Sequence, residues 1–139
     1  NNFNQPLNSW DVSNVINMKH MFQYCTIFNQ TLDSWNLLNV ENMEGLFWEC
    51  INFNQNINSW KFPKCKNLID MFLECVNFNQ PLNSWDVSNI ENMEYMFLEC
   101  VNFNQPLNSW IISNNCKTKD MFEDCKLDKE FYPKFKQTY

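Results

Sequence analysis

Five cysteines, Cys25, Cys50, Cys75, Cys100 and Cys125, recur every 25 residues, and each follows one member of the column Tyr24, Glu49, Glu74, Glu99 and Asp124. These two rows hold the side chains of the chain that could do chemistry. Thiols exchange disulfides or ligate metals. Carboxylates transfer protons, bind cations or receive a basic partner.

Each chemistry has a geometric requirement. If equivalent positions stack at about a strand spacing of 4.8 Å, in-register cysteines have parallel Cβ vectors outside the usual 3.5–4.5 Å of a disulfide. The thiols are therefore expected to stay reduced, as small buried hydrophobes at the end of an apolar face. Zinc needs four convergent ligands, and a straight row with His20 as its one candidate imidazole does not supply them. With Cys65 and Cys116 the total is seven, an odd number that favours a reducing compartment. No metal and no cofactor are expected.

The column Glu49, Glu74, Glu99 and Asp124 repeats one charge at one position, which costs stability unless solvent or a counter-charge relieves it. Two readings stay open: a solvated edge, and a docking site for a basic partner or cation. Acid–base catalysis needs carboxylates in unlike environments, whereas a regular ladder gives all members the same one. There is no glycine-rich phosphate loop, no GxSxG and one histidine, so an enzyme is not expected. Lys61, Lys64 and Lys66 form the one basic knot of the array and mark a second candidate contact. Asn29-Gln30-Thr31 matches a glycosylation sequon, but inside a repeated block the match is coincidental.

The elements that must position these rows are written in the repeat. FNQPLNSW at 3–10 returns unchanged at 78–85 and 103–110, and in altered form at 28–35 and 53–60. The Trp ladder Trp10, Trp35, Trp60, Trp85 and Trp110 is followed two residues on by Val12, Leu37, Phe62, Val87 and Ile112. Period two places a short parallel strand near Asn-Ser-Trp-x-Val in every coil, starting after Pro6, Pro81 and Pro106. Beyond it Ile90, Met93, Phe97 and Cys100 have helical spacing, and Ser88-Asn-Ile-Glu91 reads as a capping box. Asn14, Asn39, Asn89 and Asn114 take corners that need left-handed backbone, in a chain with one glycine.

The expected fold is thus an α/β repeat: a leucine-rich-repeat-like solenoid with one short parallel strand and one short helix or helical turn per coil. Coils this small share one core by stacking, over roughly 24 Å for five. The solenoid spans 1–125, and 126–139 is an aromatic and basic cap with Phe131, Tyr132, Phe135 and Tyr139. The uncapped N-terminal coil invites an end-to-end contact. The aromatic ladders read as packing rather than as a sugar platform.

Composition narrows the partners. A net charge of -6 with ten Lys and no Arg argues against a phosphate backbone. No apolar run approaches a membrane span of about 18 residues. The chain starts at Asn1 without an initiator Met, which suggests a fragment or processed product, and the lack of Ala and Arg suggests an AT-rich genome.

FNQPLNSWDVSNVINMKHMFQYC resembles the 25-residue BspA-like repeats of mycoplasma lipoproteins and bacterial surface proteins, over about residues 3–125. The resemblance implies a leucine-rich-repeat-like solenoid and a binding rather than a catalytic role. Cysteine where bacterial copies commonly have Ala, together with the AT-rich bias, points to a giant-virus member. The expected function is a non-enzymatic protein-interaction or scaffold module, virion-associated or in host cytoplasm. The alternative is a surface adhesin for host protein or glycan.

Overall fold

The computed structural model describes residues 2–137, and within them the chain winds through five stacked coils that begin at Phe3, Phe28, Phe53, Phe78 and Phe103. The expected α/β solenoid is not what these coils build. Regular structure among the described residues is confined to β1 (Ile111–Ile112), β2 (Lys134–Phe135), which pair in parallel, and one 3-10 turn at Lys129–Phe131. No coil contains an α-helix, and there is no strand per coil. The coils are runs of turns.

The hydrogen bonds explain why helical spacing misled. A helix sends each N–H to the carbonyl four residues back. In coil four the amides of Met93, Tyr95, Phe97 and Glu99 instead cross to carbonyls of coil five at 2.8–2.9 Å, while Met96, Leu98 and Cys100 close three-residue turns within the coil. Alternating turns also bring residues four apart to the same side, so Met93 and Phe97 face inward without a helix. Residue i+2 of a type II turn needs positive φ. Here that place falls twice per coil, four residues apart: His20 and Tyr24, Gly45 and Glu49, Asp70 and Glu74, Tyr95 and Glu99, Asp120 and Asp124.

The expected corner asparagines are a second correction. None of Asn14, Asn39, Asn89 and Asn114 has positive φ. Asparagine works here through its side chain. Asn17, Asn42, Asn67 and Asn92 accept the amide two residues on at 2.9 Å, and their backbones form the parallel bridges between coils. Ser88 caps no helix, since its amide donates to the Asp86 carboxylate at 3.0 Å.

Outside coil five, where β1 lies at this position, strands do not form at Asn-Ser-Trp-x-Val because side chains hold that side of the stack. The Asn4 Oδ1 accepts the Asn29 amide at 2.9 Å, and the same bond repeats from Asn54, Asn79 and Asn104 to the coil before, at 2.9–3.0 Å. Gln30, Gln55, Gln80 and Gln105 donate to that same upstream asparagine. The indole N–H groups of Trp35, Trp60, Trp85 and Trp110 each donate at 2.9 Å to the carbonyl of Leu7, Leu32, Ile57 and Leu82 respectively. The Phe-Asn-Gln and Trp repetition is therefore a hydrogen-bond ladder made by side chains.

Inside, every fully buried side chain is apolar. Phe22, Phe47, Phe72, Phe97 and Phe122 stack at 5.4–5.7 Å between centroids, and a second column, Phe28, Phe53, Phe78 and Phe103, at 5.8–6.0 Å. Where each of coils one to four passes into the next, the two columns meet at 4.1–4.5 Å. Such contacts add about 0.5–1.5 kcal/mol per pair beyond burial.

The C-terminal segment is a partial sixth layer. Leu127 is buried, the Asp128 amide donates to Asn104 Oδ1 at 3.0 Å as the Phe-Asn-Gln asparagines do, and Tyr132 stacks on Phe122 at 5.1 Å. Phe135 is half exposed, and the cap expectation for Tyr139 lies outside the described residues.

Gly45 has φ +59 and lies so close beneath the His20 ring that an added Cβ would collide with it. Gly45→Ala is expected to destabilise by about 1–3 kcal/mol, the strain of a left-handed non-glycine plus the clash. Combining it with His20→Ala should recover the clash but not the φ component, as read by chemical melts of both variants. Equal melts for the single and double variants would show that His20 simply moves aside.

Candidate functional site

The acidic column lies along one edge of the stack, on the left-handed turn position of each coil: φ is 55 at Glu49, 58 at Glu74, 59 at Glu99 and 54 at Asp124. Their amides are tied into the inter-coil ladder, with Glu49, Glu74 and Glu99 donating to Leu73, Leu98 and Glu123 at 2.8–2.9 Å. The backbone is thus fixed while the side chains project. Among the described residues no salt bridge reaches Glu49, Glu74, Glu99 or Asp124. Partial burial raises the Glu74 pKa, and the charges of Glu49 and Glu99 on either side raise it further. The column is therefore electrostatically frustrated at its centre.

Apolar side chains flank it. Trp48, Leu73 and Leu98 precede the carboxylates. Two residues after Glu74 and Glu99 come Val76 and Val101, whose amides bond to the Glu74 and Glu99 carbonyls at 3.0 Å. Val101 is exposed. At the head of the column Tyr24 replaces the carboxylate and packs on Trp48 at 5.8 Å, beside His20 at 6.0 Å from the same indole. Glu44, one turn away, meets Lys19 at 3.3 Å and His20 at 3.6 Å.

The cysteine row is elsewhere, inside the core. Cys50, Cys75 and Cys100 are fully buried, and their thiols donate to the carbonyls of Phe22, Phe47 and Phe72 at 2.8–3.0 Å. Cys25 is buried and Cys125 partly so. Cys50, Cys65, Cys75, Cys100, Cys116 and Cys125 form no disulfide. Burial pushes the Cys65 thiol up to about 11 and those of Cys75 and Cys100 well above the ordinary range, so none is a nucleophile at neutral pH. No group of three or more His, Cys, Asp or Glu among the described residues is arranged to hold a metal.

Trp35, Trp60, Trp85 and Trp110 are buried and stack at 6.2–6.5 Å, whereas Trp10 in the first coil is 54% exposed. The coil-three lysines do not converge. Lys64 Nζ donates back to Asn39 Oδ1 at 2.8 Å, and Lys66 reaches forward to the Asn89 carbonyl at 3.4 Å and Glu91 at 3.7 Å. Lys61 lines a groove of about 160 Å³ with Phe62, Pro63 and Leu38. Two of the three lysines are thus staples between coils.

Sequence reasoning missed that the acidic column sits on left-handed backbone, as does a second position four residues earlier in each coil. The signal was present in the paired special positions four residues apart, one of which carries the single glycine.

The architecture defines a repeat protein of stacked, turn-built coils whose register is held by asparagine, glutamine and tryptophan side chains. The sequence matches the family described as Mycoplasma protein of unknown function, DUF285, over residues 1–73 and again over 30–135. The chain belongs to that family, which is related to the BspA-like and lipoprotein repeats. Comparison with curated proteins and with solved structures finds no match. No helix among the described residues is long and apolar enough to cross a membrane.

Proposed function

We propose that this protein is a non-enzymatic interaction module that receives a basic protein segment along the column Glu49, Glu74, Glu99 and Asp124. One observation carries the reading: four carboxylates occupy left-handed turn positions where glycine is the low-strain choice. Each non-glycine residue there costs about 1–2 kcal/mol, so the array holds these side chains against their backbone preference. Strain of this kind is a reason to look for function. The mutual repulsion at Glu74 supports the same reading, because a cationic ligand would relieve it. Flanking Leu, Val and Trp side chains suit the aliphatic stems of lysine and arginine. Six thiols outside any disulfide, Cys50, Cys65, Cys75, Cys100, Cys116 and Cys125, favour a reducing setting such as host cytoplasm or a virion assembled there, and the giant-virus origin is part of this proposal.

The test uses a synthetic peptide alternating lysine with valine, titrated at low and physiological salt. Neutralising the column centre with Glu74→Gln and Glu99→Gln together is expected to weaken binding by about ten-fold and to flatten its salt dependence. Thermal stability should be kept or raised, since a repulsion is removed. Unchanged binding together with a loss of stability would make the carboxylates structural groups and end the proposal.

A further inference from the structure

Ser88-Asn-Ile-Glu91 has the spacing of a capping box, yet Ser88 caps no helix, so the fold leaves this serine and glutamate without the role their spacing suggested. Both side chains are exposed. Ser88 stands at a repeat position held by Ser13, Leu38, Pro63 and Ser113 in the other coils, and there Ser13 and Ser113 are partly covered. Ser13 shares its local geometry: each hydroxyl donates to the aspartate two residues back, Ser13 to Asp11 at 2.5 Å and Ser88 to Asp86 at 2.6 Å. What differs is the residue three places on, Ile16 after Ser13, Cys116 after Ser113 and Glu91 after Ser88. Of the serines and threonines from Ser9 to Thr118, Ser88 alone has a carboxylate there.

The backbone around Ser88 is held locally. Among the described residues, the backbone–backbone hydrogen bond of the 86–89 corner runs from the Ile90 amide to the Val87 carbonyl at 3.1 Å, and the inter-coil ladder resumes at Glu91, whose amide donates to Lys66 at 2.9 Å. The Ser88–Asn89 corner can therefore lift without unzipping the stack, while Val87 and Ile90 stay anchored in the core on either side. Ser88, Glu91, Lys66 and Lys117 line one open groove of about 470 Å³. Lys66 holds its ammonium 3.7 Å from Glu91 and 3.4 Å from the Asn89 carbonyl, with half of its side chain exposed, so a stronger anion in the groove can draw it over.

We infer that Ser88 is a phosphorylation site for a serine kinase that selects substrates by a carboxylate three residues after the serine. Such an enzyme meets Glu91 with basic groups of its own peptide groove. In the transfer the Ser88 hydroxyl oxygen attacks the γ-phosphorus of ATP, the bond to the departing ADP breaks, and the hydroxyl proton passes to the catalytic aspartate of the kinase. The hydroxyl's bond to Asp86 is lost. In its place about two negative charges enter the groove beside Asp86, and Lys66 and Lys117 in the same groove offset the repulsion. The site uses no member of the acidic column, so it stands or falls apart from that reading.

The test incubates the folded chain with magnesium ATP and a purified kinase of the casein kinase type, which prefers acidic residues after the serine, and maps the sites by mass spectrometry. Phosphate is expected at Ser88, with Ser13 and Ser113 as internal controls labelled at least about ten-fold more slowly. Glu91→Gln should slow labelling of Ser88 by about ten-fold, the loss of one charged contact to the enzyme. Ser88→Ala should remove the label from this corner. Equal labelling of Ser13 and Ser88, or an unchanged rate in Glu91→Gln, would overturn the inference. So would failure to label the folded chain, whether or not a free peptide of residues 83–97 is labelled.

Discussion

Phe72→Ala is expected to lower the unfolding free energy by about 3–5 kcal/mol, the range for deleting a fully buried phenylalanine. Phe72 has no exposed surface and sits at the centre of the aromatic lattice. Its ring lies 5.7 Å from Phe47, 5.4 Å from Phe97, 4.4 Å from Phe78 and 6.1 Å from Trp85. A cavity there opens between coils two and four, and neither the Phe column nor the Trp column can close over it without moving backbone tied at both sides. Coils contact mainly their neighbours, so stability in such an array is a sum of coil and interface terms. The variant should therefore lose cooperativity as well as stability. Denaturant melts followed by tryptophan emission and by far-ultraviolet dichroism should separate into two transitions in the variant and coincide in the parent. Coincident transitions with a loss below 1 kcal/mol would mean that the lattice relaxes around the gap.

The repeat, its register and its buried ladders were legible in the residues because they depend on identity and spacing alone. Phe at every twenty-fifth position must meet Phe if coils stack. Secondary structure was not legible, for a physical reason visible at Met93, Phe97 and Cys100. An inward-facing residue every three or four positions satisfies both a helix and a run of alternating turns, and apolar periodicity reports only which side faces inward. What decides between them is where the amides go, and positive φ at Tyr95 and Glu99 turns half of them out of the coil. Nothing in the propensity of Tyr or Glu announces a left-handed backbone. The same gap hid the role of Asn4 and its equivalents. Their type suggested turn geometry, but their register, one per coil beside an equally regular glutamine, was the signature of a side-chain ladder.

The candidate site divides in the same way. The column of carboxylates could be read from the sequence, since four acids at one repeat position are visible without coordinates. The coil-three lysines looked like a cluster only because they are close in sequence. Their side chains leave in opposite directions along the stack, Lys64 toward Asn39 and Lys66 toward Glu91.

The buried thiols make a second large effect expected, at alkaline pH. Burial raises the pKa of Cys50, Cys65, Cys75, Cys100, Cys116 and Cys125 above the ordinary thiol value of 9.0, to about 11 for Cys65, Cys116 and Cys125 and further for the others. The neighbouring thiols and Glu74 push the Cys75 value higher still. A group whose folded pKa is raised stabilises the fold fully below its unfolded pKa and loses that contribution as pH rises toward the folded value. Above pH 9 the unfolded chain sheds these protons while the folded chain keeps them, so each thiol removes about 1.4 kcal/mol per pH unit. Six together remove about 8 kcal/mol per unit, against a total stability of about 5–15 kcal/mol for a typical domain. Cooperative unfolding is expected between about pH 10 and 11, and Cys65 should stop contributing near the upper end of that window. Tyrosine and lysine also titrate there, so the decisive comparison is with the double variant Cys75→Ala, Cys100→Ala. Losing two small buried side chains should lower stability at pH 7 by about 2 kcal/mol in total. The pH slope, measured from urea melts between pH 9 and 10.5, should nevertheless fall by about a third, so that the two proteins' stability curves converge as pH rises. An unchanged slope would show that the thiols ionise in place and that the core beneath Phe47 and Phe72 is open to water.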